Sequence, residues 1–484
     1  MLAWLFGIIL VIGGEKAEPP KPHRLHTDSA QHLRVDSIFN RVLTVDRVII
    51  IGNKVTRNRI ITRELSLQPG DTIGSLRLAG ALQWDKNKLY NLRLFNTVSV
   101  QALELTNNHI DILVEVSERW YIFPSPIFEL SDRNFNEWWN NYNHDLNRIN
   151  YGIRIYKNNF RGRNESLRLT AQFGFVRKFD LQYKIPNLDK KQKQGITFNL
   201  DYGSPRNLSY MTLNHKLVFL ESRQVVKTSF GAGIGYSYRK SFYETHSLNF
   251  GYREAQVIDT VLMLNPIYYN NGKVKQKFFA LSYSFNSEHR DVVLYPLKGY
   301  QFTGYISKTG LLSTDDVNQL EVNLTYAKHW PLGKGFYLSN FSSAFWSSPK
   351  NQPYNVFSAL GYRNQLVRGY ENYVIEGPQF ALNKTTLKKR IFSRTYTMDN
   401  MPLEQFSFFP LAIYIKAYAD FGYVENYPYY DEKGFNQLYS NQLLKGGGIG
   451  LDVVTLYDLV LRFELSFTQQ NTHGGFFFNV KKEF

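Results

Sequence analysis

No cysteine occurs among the 484 residues, so the chain has no disulfide framework, no thiolate metal site and no cysteine nucleophile. Beyond residue 20 there is no run of about 18 apolar residues, which excludes a conventional transmembrane helix and means that a membrane role would need strands. The ten histidines lack H-E-x-x-H or any other metal-ligand spacing, and there is no G-x-S-x-G elbow. No catalytic residue, metal or cofactor is therefore expected. KGGGIG at 445–450 lacks the Lys-Ser or Lys-Thr of a phosphate loop, and glycines in a strand make room for a neighbouring side chain or a bend. Acidic residues are the scarcer charge, 41 against 57 basic, for a net charge of +16. The basic residues are scattered and no nucleic-acid module is legible, so the charge points to anionic lipid or a basic lumen, with a merely solvated surface as the alternative, rather than to nucleic acid.

Aromatics make up 16% of the chain although its mean hydropathy is only −0.35, a combination that suits alternation of apolar and polar residues. MLAWLFGIILVIGGEKA, residues 1–17, reads as a cleaved export signal; the lack of a basic start leaves a short buried or interfacial helix as the alternative. Residues 18–44, polar and with Pro19, Pro20 and Pro22, read as a linker. From Val45 to Glu118 the pattern becomes strand, helix, helix, strand, strand. VDRVIIIGNKVT closes on Gly52-Asn53. Ile60, Ile61 and Leu65 share one helical face, and Leu78, Leu82 and Leu89 share another. TVSVQALEL and HIDILVEV alternate as strands.

From residue 149 to 484 apolar residues recur at every second position in segment after segment. LRLTAQFGF puts Leu167, Leu169, Ala171, Phe173 and Phe175 on one face and Arg168, Thr170 and Gln172 on the other; DLVLRFELSF repeats the pattern. This predicts a transmembrane antiparallel β-barrel of about sixteen strands, which in lipid must close so that its main-chain groups are satisfied. WYIFPSPIFEL, with two prolines, reads as part of a connector over 119–148 rather than as a strand. The barrel then begins near Ile149 to Asn158 and ends near Gly475 to Phe484. Ile153 and Ile155 on the first strand and Gly474, Gly475, Phe476, Phe478 and Phe484 on the last are the candidate seam.

Two groups of motifs carry a resemblance. In 45–118 the pattern is IxIxGNKVT, ITREL, PGD and LxxLxLFxxVxV, closing on VEVSER. In the barrel, LVRGY holds Val367, Arg368, Gly369 and Tyr370, AYADFGYV holds Asp420 and Gly422 with Tyr418 at the first aromatic position, and SEHRDVVLYPLKGY holds Arg290, Asp291, Pro296 and Gly299. The chain resembles the BamA/TamA superfamily of outer-membrane assembly factors, as a short member with one periplasmic POTRA module. The fold class so implied is mainly β, a C-terminal barrel preceded by one small α+β domain. The resemblance implies that the loop arginine folds into the lumen and pairs with Asp420, with Gly422 completing that element; a solvated arginine on an exterior loop is the alternative. It implies a place in the outer membrane with the POTRA module in the periplasm. The implied partners are unfolded outer-membrane protein clients, outer-membrane lipid and accessory lipoproteins. A two-partner-type secretion pore shares the loop motif but normally carries two POTRA modules and a plug helix, and a passive porin would need neither the loop nor the module.

Overall fold

The computed structural model describes residues 41–484 apart from 106–107, 131–145, 147–148, 190, 271, 362–364, 398–407, 456–458, 471 and 482–484. The export-signal reading of 1–17, Phe484 and nearly all of the linker thus lie outside the described residues. From Val42 onward the chain forms one compact unit.

The first module comprises β1 (Val42–Ile51), α1 (Asn58–Thr62), β2 (Thr72–Gly74), α2 (Ser75–Asn91), β3 (Phe95–Glu104) and β4 (His109–Glu118). Its sheet runs β2-β1-β4-β3, with β1 parallel to β4 and the other pairs antiparallel. Strand β1 starts within the stretch read as linker, because Leu43 already belongs to the core with Val45, Ile60, Ile61, Leu89, Phe95, Ile110 and Val114. Leu78 and Leu82 pack against that core at half burial.

The remaining strands are β5 (Ile122–Leu130), β6 (Ile149–Phe160), β7 (Glu165–Gly174), β8 (Val176–Ile185), β9 (Gln194–Pro205), β10 (Asn207–Leu213), β11 (Lys216–Glu221), β12 (Lys227–Arg239), β13 (Glu244–Val257), β14 (Lys275–Glu288), β15 (Gly299–Thr309), β16 (Gln319–Gly333), β17 (Phe336–Ser348), β18 (Ala359–Leu360), β19 (Ile375–Glu376), β20 (Gln379–Thr397), β21 (Phe408–Glu425), β22 (Leu443–Val454), β23 (Val460–Thr468) and β24 (Gly475–Lys481). Sixteen of them form one antiparallel sheet running in chain order from β5 to β24, while the pairs β10-β11 and β18-β19 stand apart as loop hairpins. The sheet is inside out. Leu169 and Phe173 are 39% and 42% exposed while Thr170 and Gln172 between them are 6% and 8% exposed, so the apolar side chains cover the outer face and the polar ones line the lumen. Phe175 departs from the alternation: it lies in the turn after β7 and is buried. Among the described residues no helix is long and apolar enough to cross a membrane.

The stretch read as a connector contains the first strand of this sheet. Strand β5 pairs with β6 over its whole length despite Pro124 and Pro126, which is possible because it is an edge strand, where proline is tolerated. The count of sixteen therefore includes β5, and Ile153 and Ile155 sit on the second strand, opposite Pro126 and Pro124, rather than at the seam. Among the described residues no main-chain pairing joins β5 to β24.

The first module sits against one rim of the barrel, hereafter the near rim. Glu64, 1% exposed, takes Arg239 at 2.8 Å and Arg63 at 3.1 Å. Asn159 donates to Thr56 at 2.8 Å, and the amide of Arg57 donates to the carbonyl of Gly162 at 3.0 Å. Gly162 is at φ +68°, and a Cβ there would lie 2.2 Å from the carbonyl oxygen of Val55, so only glycine permits this approach. Farther along, Asn91 donates to the carbonyl of Asp291 at 3.2 Å, in the turn joining β14 to β15.

Candidate functional site

The long connection between β17 and β20 returns into the barrel and places Val367, Arg368, Gly369 and Tyr370 against β20 to β23. Arg368 donates from Nε to Asp420 Oδ2 at 2.8 Å and from Nη2 to Asp420 Oδ1 at 2.6 Å, a bidentate pair, and its own amide donates to Oδ2 at 3.1 Å. Nη2 also donates to Thr386 Oγ1 at 2.9 Å, and the guanidinium lies 3.7 Å from the centre of the Tyr418 ring. Arg368 is 7% exposed and Asp420 0%. Burial at that level makes the pair decisive, since either charge alone would be left without water.

The wall behind the pair is a charge network. Nη1 of Arg368 is 3.7 Å from Glu464, Lys416 lies 2.8 Å from Glu464 and 2.6 Å from Asp452, and the Tyr295 hydroxyl donates to Asp452 at 2.9 Å. Tyr295 comes from the same near-rim turn that Asn91 holds, a turn shaped by the Asp291 carboxylate accepting the amides of Val292, Leu297 and Lys298. Two segments entering the lumen from opposite rims thus share one set of wall charges, beside a cavity of about 410 Å³ lined by Arg368, Lys384, Lys388, Asp452 and Glu464.

The wall is thin where the loop touches it. Gly446, Gly448 and Gly450 stand in register opposite Asp420, Tyr418 and Lys416. A Cβ on Gly446 would lie 2.0 Å from the carbonyl oxygen of Arg368, one on Gly448 2.7 Å from the Tyr418 hydroxyl, and one on Gly450 2.8 Å from Lys416 Cε. Gly422 does the same for Val367 at 2.5 Å. Gly369 takes φ +100°, and its amide donates to Glu371 at 2.7 Å. Tyr370 is buried edge-on against Tyr439 at 5.3 Å and donates to Gln470 at 2.8 Å.

Loops close the far mouth above this site. His215, at the tip of the β10-β11 hairpin, accepts the amide of Tyr439 on Nε2 at 3.0 Å, and its carbonyl accepts the amide of Val374. Burial pulls its imidazole down to about 4. Glu376 accepts from Tyr430 at 2.5 Å, and burial pushes its carboxyl up to about 7. The two act oppositely on the closed cap. As pH falls from neutral towards 4 the opened cap takes up a proton on His215 that the closed cap refuses, so closure weakens; between about 7 and the ordinary carboxylate range the closed cap holds a proton on Glu376 that the opened cap releases, so closure strengthens. Exchange of residues 426–442, corrected for the intrinsic pH dependence of amide exchange, should therefore vary little in the wild type from pH 7 to 5. In His215→Gln it should slow on acidification and in Glu376→Gln it should speed up, each by at most about tenfold per pH unit, the limit for one proton. Equal slopes in the two variants would contradict this assignment.

Residues 159–484 match the family described as the Omp85 superfamily domain. The chain belongs to the Omp85 superfamily. Residues 43–119 match the POTRA family, described as a surface antigen variable number repeat. No curated protein matches the chain. Among solved structures, this Omp85 chain is similar to BamA from Haemophilus ducreyi lacking POTRA domains 1–3, at 16% identity, TM-score 0.51 and coverage of 90% of this chain and 84% of that one. It is also similar to CdiB from Escherichia coli, at 11% identity, TM-score 0.53 and coverage of 90% and 76%. At these identities the likeness is one of fold.

Of the residues singled out in the sequence, Val367, Arg368, Gly369, Tyr370, Asp420 and Gly422 meet at one point in the lumen. Gly475, Phe476 and Phe478 lie on β24 and Gly474 just before it at φ +82°. Sequence reasoning missed Lys416, Asp452, Glu464, Thr386 and Tyr295, whose partners lie 18 to 157 positions away. The alternate glycines at 446, 448 and 450 did carry a signal, because small residues at every second strand position leave one face of the wall open to something large.

Proposed function

We propose that this Omp85 protein is an assembly factor that inserts β-barrel proteins into the outer membrane, taking unfolded clients from the POTRA module to the seam between β5 and β24. In this reading the near rim faces the periplasm, the capped mouth faces outward, and outer-membrane lipid receives the client sideways. The observation that carries it is the seam. The two end strands of a sixteen-stranded sheet lack mutual pairing among the described residues, and an unpaired strand edge is a template for another strand. The driving force needs no nucleotide, since the client gains main-chain hydrogen bonds and buries apolar side chains in lipid.

A two-partner-type secretion pore is the second reading, favoured by the fold likeness to CdiB. Against it stand the loops that close the far mouth, since the lumen loop clamped by Arg368 is common to both readings. Reconstitution separates the two. Liposomes carrying the purified chain should convert an added urea-unfolded barrel protein to its heat-modifiable folded form at least about tenfold faster than empty liposomes, a gain well within what a template edge can supply. Equal rates, together with passage of an unfolded polypeptide into the liposome interior, would replace the assembly reading with the secretion one.

A further inference from the structure

The two edges of the seam are chemically unequal. The carbonyl of Tyr121 accepts the amide of Asn158 at 2.7 Å, and the register then runs unbroken from Ile122 opposite Lys157 to Leu130 opposite Ile149. Antiparallel pairs alternate between those that exchange both hydrogen bonds and those that exchange none. Phe123, Ser125, Ile127 and Glu129 therefore bond to β6, while Ile122, Pro124, Pro126, Phe128 and Leu130 turn their main-chain groups to the free edge. Proline has no N–H. The free edge of β5 thus carries carbonyls at all five positions, of which that of Ile122 already accepts the Trp120 indole N–H, but a donor only at Ile122, Phe128 and Leu130. The six residue steps from Ile122 to Phe128 leave a gap between donors of about 20 Å.

Strand β24 has no such gap. The amide of Thr455 donates to the carbonyl of Leu459 at 2.9 Å, which sets the phase of the β22-β23 ladder and turns Val460, Arg462, Glu464 and Ser466 towards β24. Their partners are Lys481, Asn479, Phe477 and Gly475. Phe476, Phe478 and Val480 remain on the free edge, each with both an N–H and a C=O.

We propose that an incoming extended segment is taken up on β24, and that Pro124 and Pro126 keep the near-rim half of β5 from competing for it. At Pro124 and Pro126 a strand laid against β5 can donate but not accept, and its own carbonyls there stay unmet in a hydrocarbon setting, which is strongly unfavourable. The same defect stops β5 and β24 from zipping together at the near rim, so the seam stands open on the side of the POTRA module. The partner that fits is a polypeptide in extended conformation with unpaired main-chain groups. This rests on the seam being the client entrance, but the first measurement below uses no client and can fail on its own.

The test is the full chain with Pro124→Val and Pro126→Val together, in lipid nanodiscs, with heat-modifiable migration as the check of folding. Restored donors should let β5 pair with β24, and amide exchange across 475–481 should slow by about tenfold, the effect of two added hydrogen bonds. A ten-residue peptide of alternating valine and threonine carrying a benzophenone should crosslink to 475–481 in the wild type, with a several-fold lower yield in the double variant. Unchanged exchange in a folded double variant would overturn the role of the prolines. Wild-type crosslinks that map to 122–130 would overturn the choice of β24, and that mapping needs no variant to fold.

Discussion

Replacing Arg368 by alanine is expected to destabilise the folded barrel by about 3–5 kcal/mol, the usual cost of removing one partner from a buried ion pair. The carboxylate left behind is Asp420, fully buried, which would lose three of its hydrogen bonds with the departing side chain and the loosened loop. Lys384 lies opposite Asp420 in register and can return part of the loss, which places the effect towards the lower end of the range. Arg368→Asp should cost more, because it sets a third carboxylate beside those of Asp420 and Glu464. Adding Asp420→Arg to it should recover part of the loss but not all, since Thr386 and the Tyr418 ring are placed for a guanidinium arriving from the loop. Urea unfolding in lipid, followed by heat-modifiable migration, measures all four proteins. A silent Arg368→Asp would show that the loop does not depend on the pair.

Gly446→Val should displace the loop with comparable force. The new Cβ would lie 2.0 Å from the carbonyl oxygen of Arg368 and 3.0 Å from Val367 Cγ1, and neither main chain can yield without moving Arg368 off Asp420. The expected loss is at least about 3 kcal/mol, the upper end for overpacking, because backbone rather than a flexible side chain is struck. It should appear as new protease cleavage within 365–378 at unchanged strand content. Gly447→Ala is the internal control: its Cβ meets nothing closer than 3.4 Å, so a change there should leave the loop protected. Cleavage in both variants alike would mean that the glycine run is merely a weak strand.

The barrel was legible because its code is local. Alternation over successive strands requires only that neighbouring side chains point opposite ways, and Leu169 to Phe173 shows it with little ambiguity. The first strand was not legible, because Pro124 and Pro126 deny a central strand while permitting an edge one, and edge position is a property of the whole sheet. The same shift moved Ile153 and Ile155 off the seam. Arg368 and Asp420 could be paired through motifs that flank each of them. Lys416, Asp452 and Tyr295 sit in no comparable pattern, and their convergence follows from curvature, which brings strands far apart in sequence around one lumen. Contacts of the POTRA module with the near rim, such as Glu64 with Arg239, are of the same kind.

If clients leave through the gap between β5 and β24, locking that gap should stop them. Because the chain has no cysteine, one cysteine placed on β5 and one on β24, scanned along both strands, form the only disulfide available. A crosslinked seam should leave the protein folded but stop the assembly of added barrel clients, and reductant should restore it. Client assembly at the uncrosslinked rate with a fully locked seam would show that clients leave by another route.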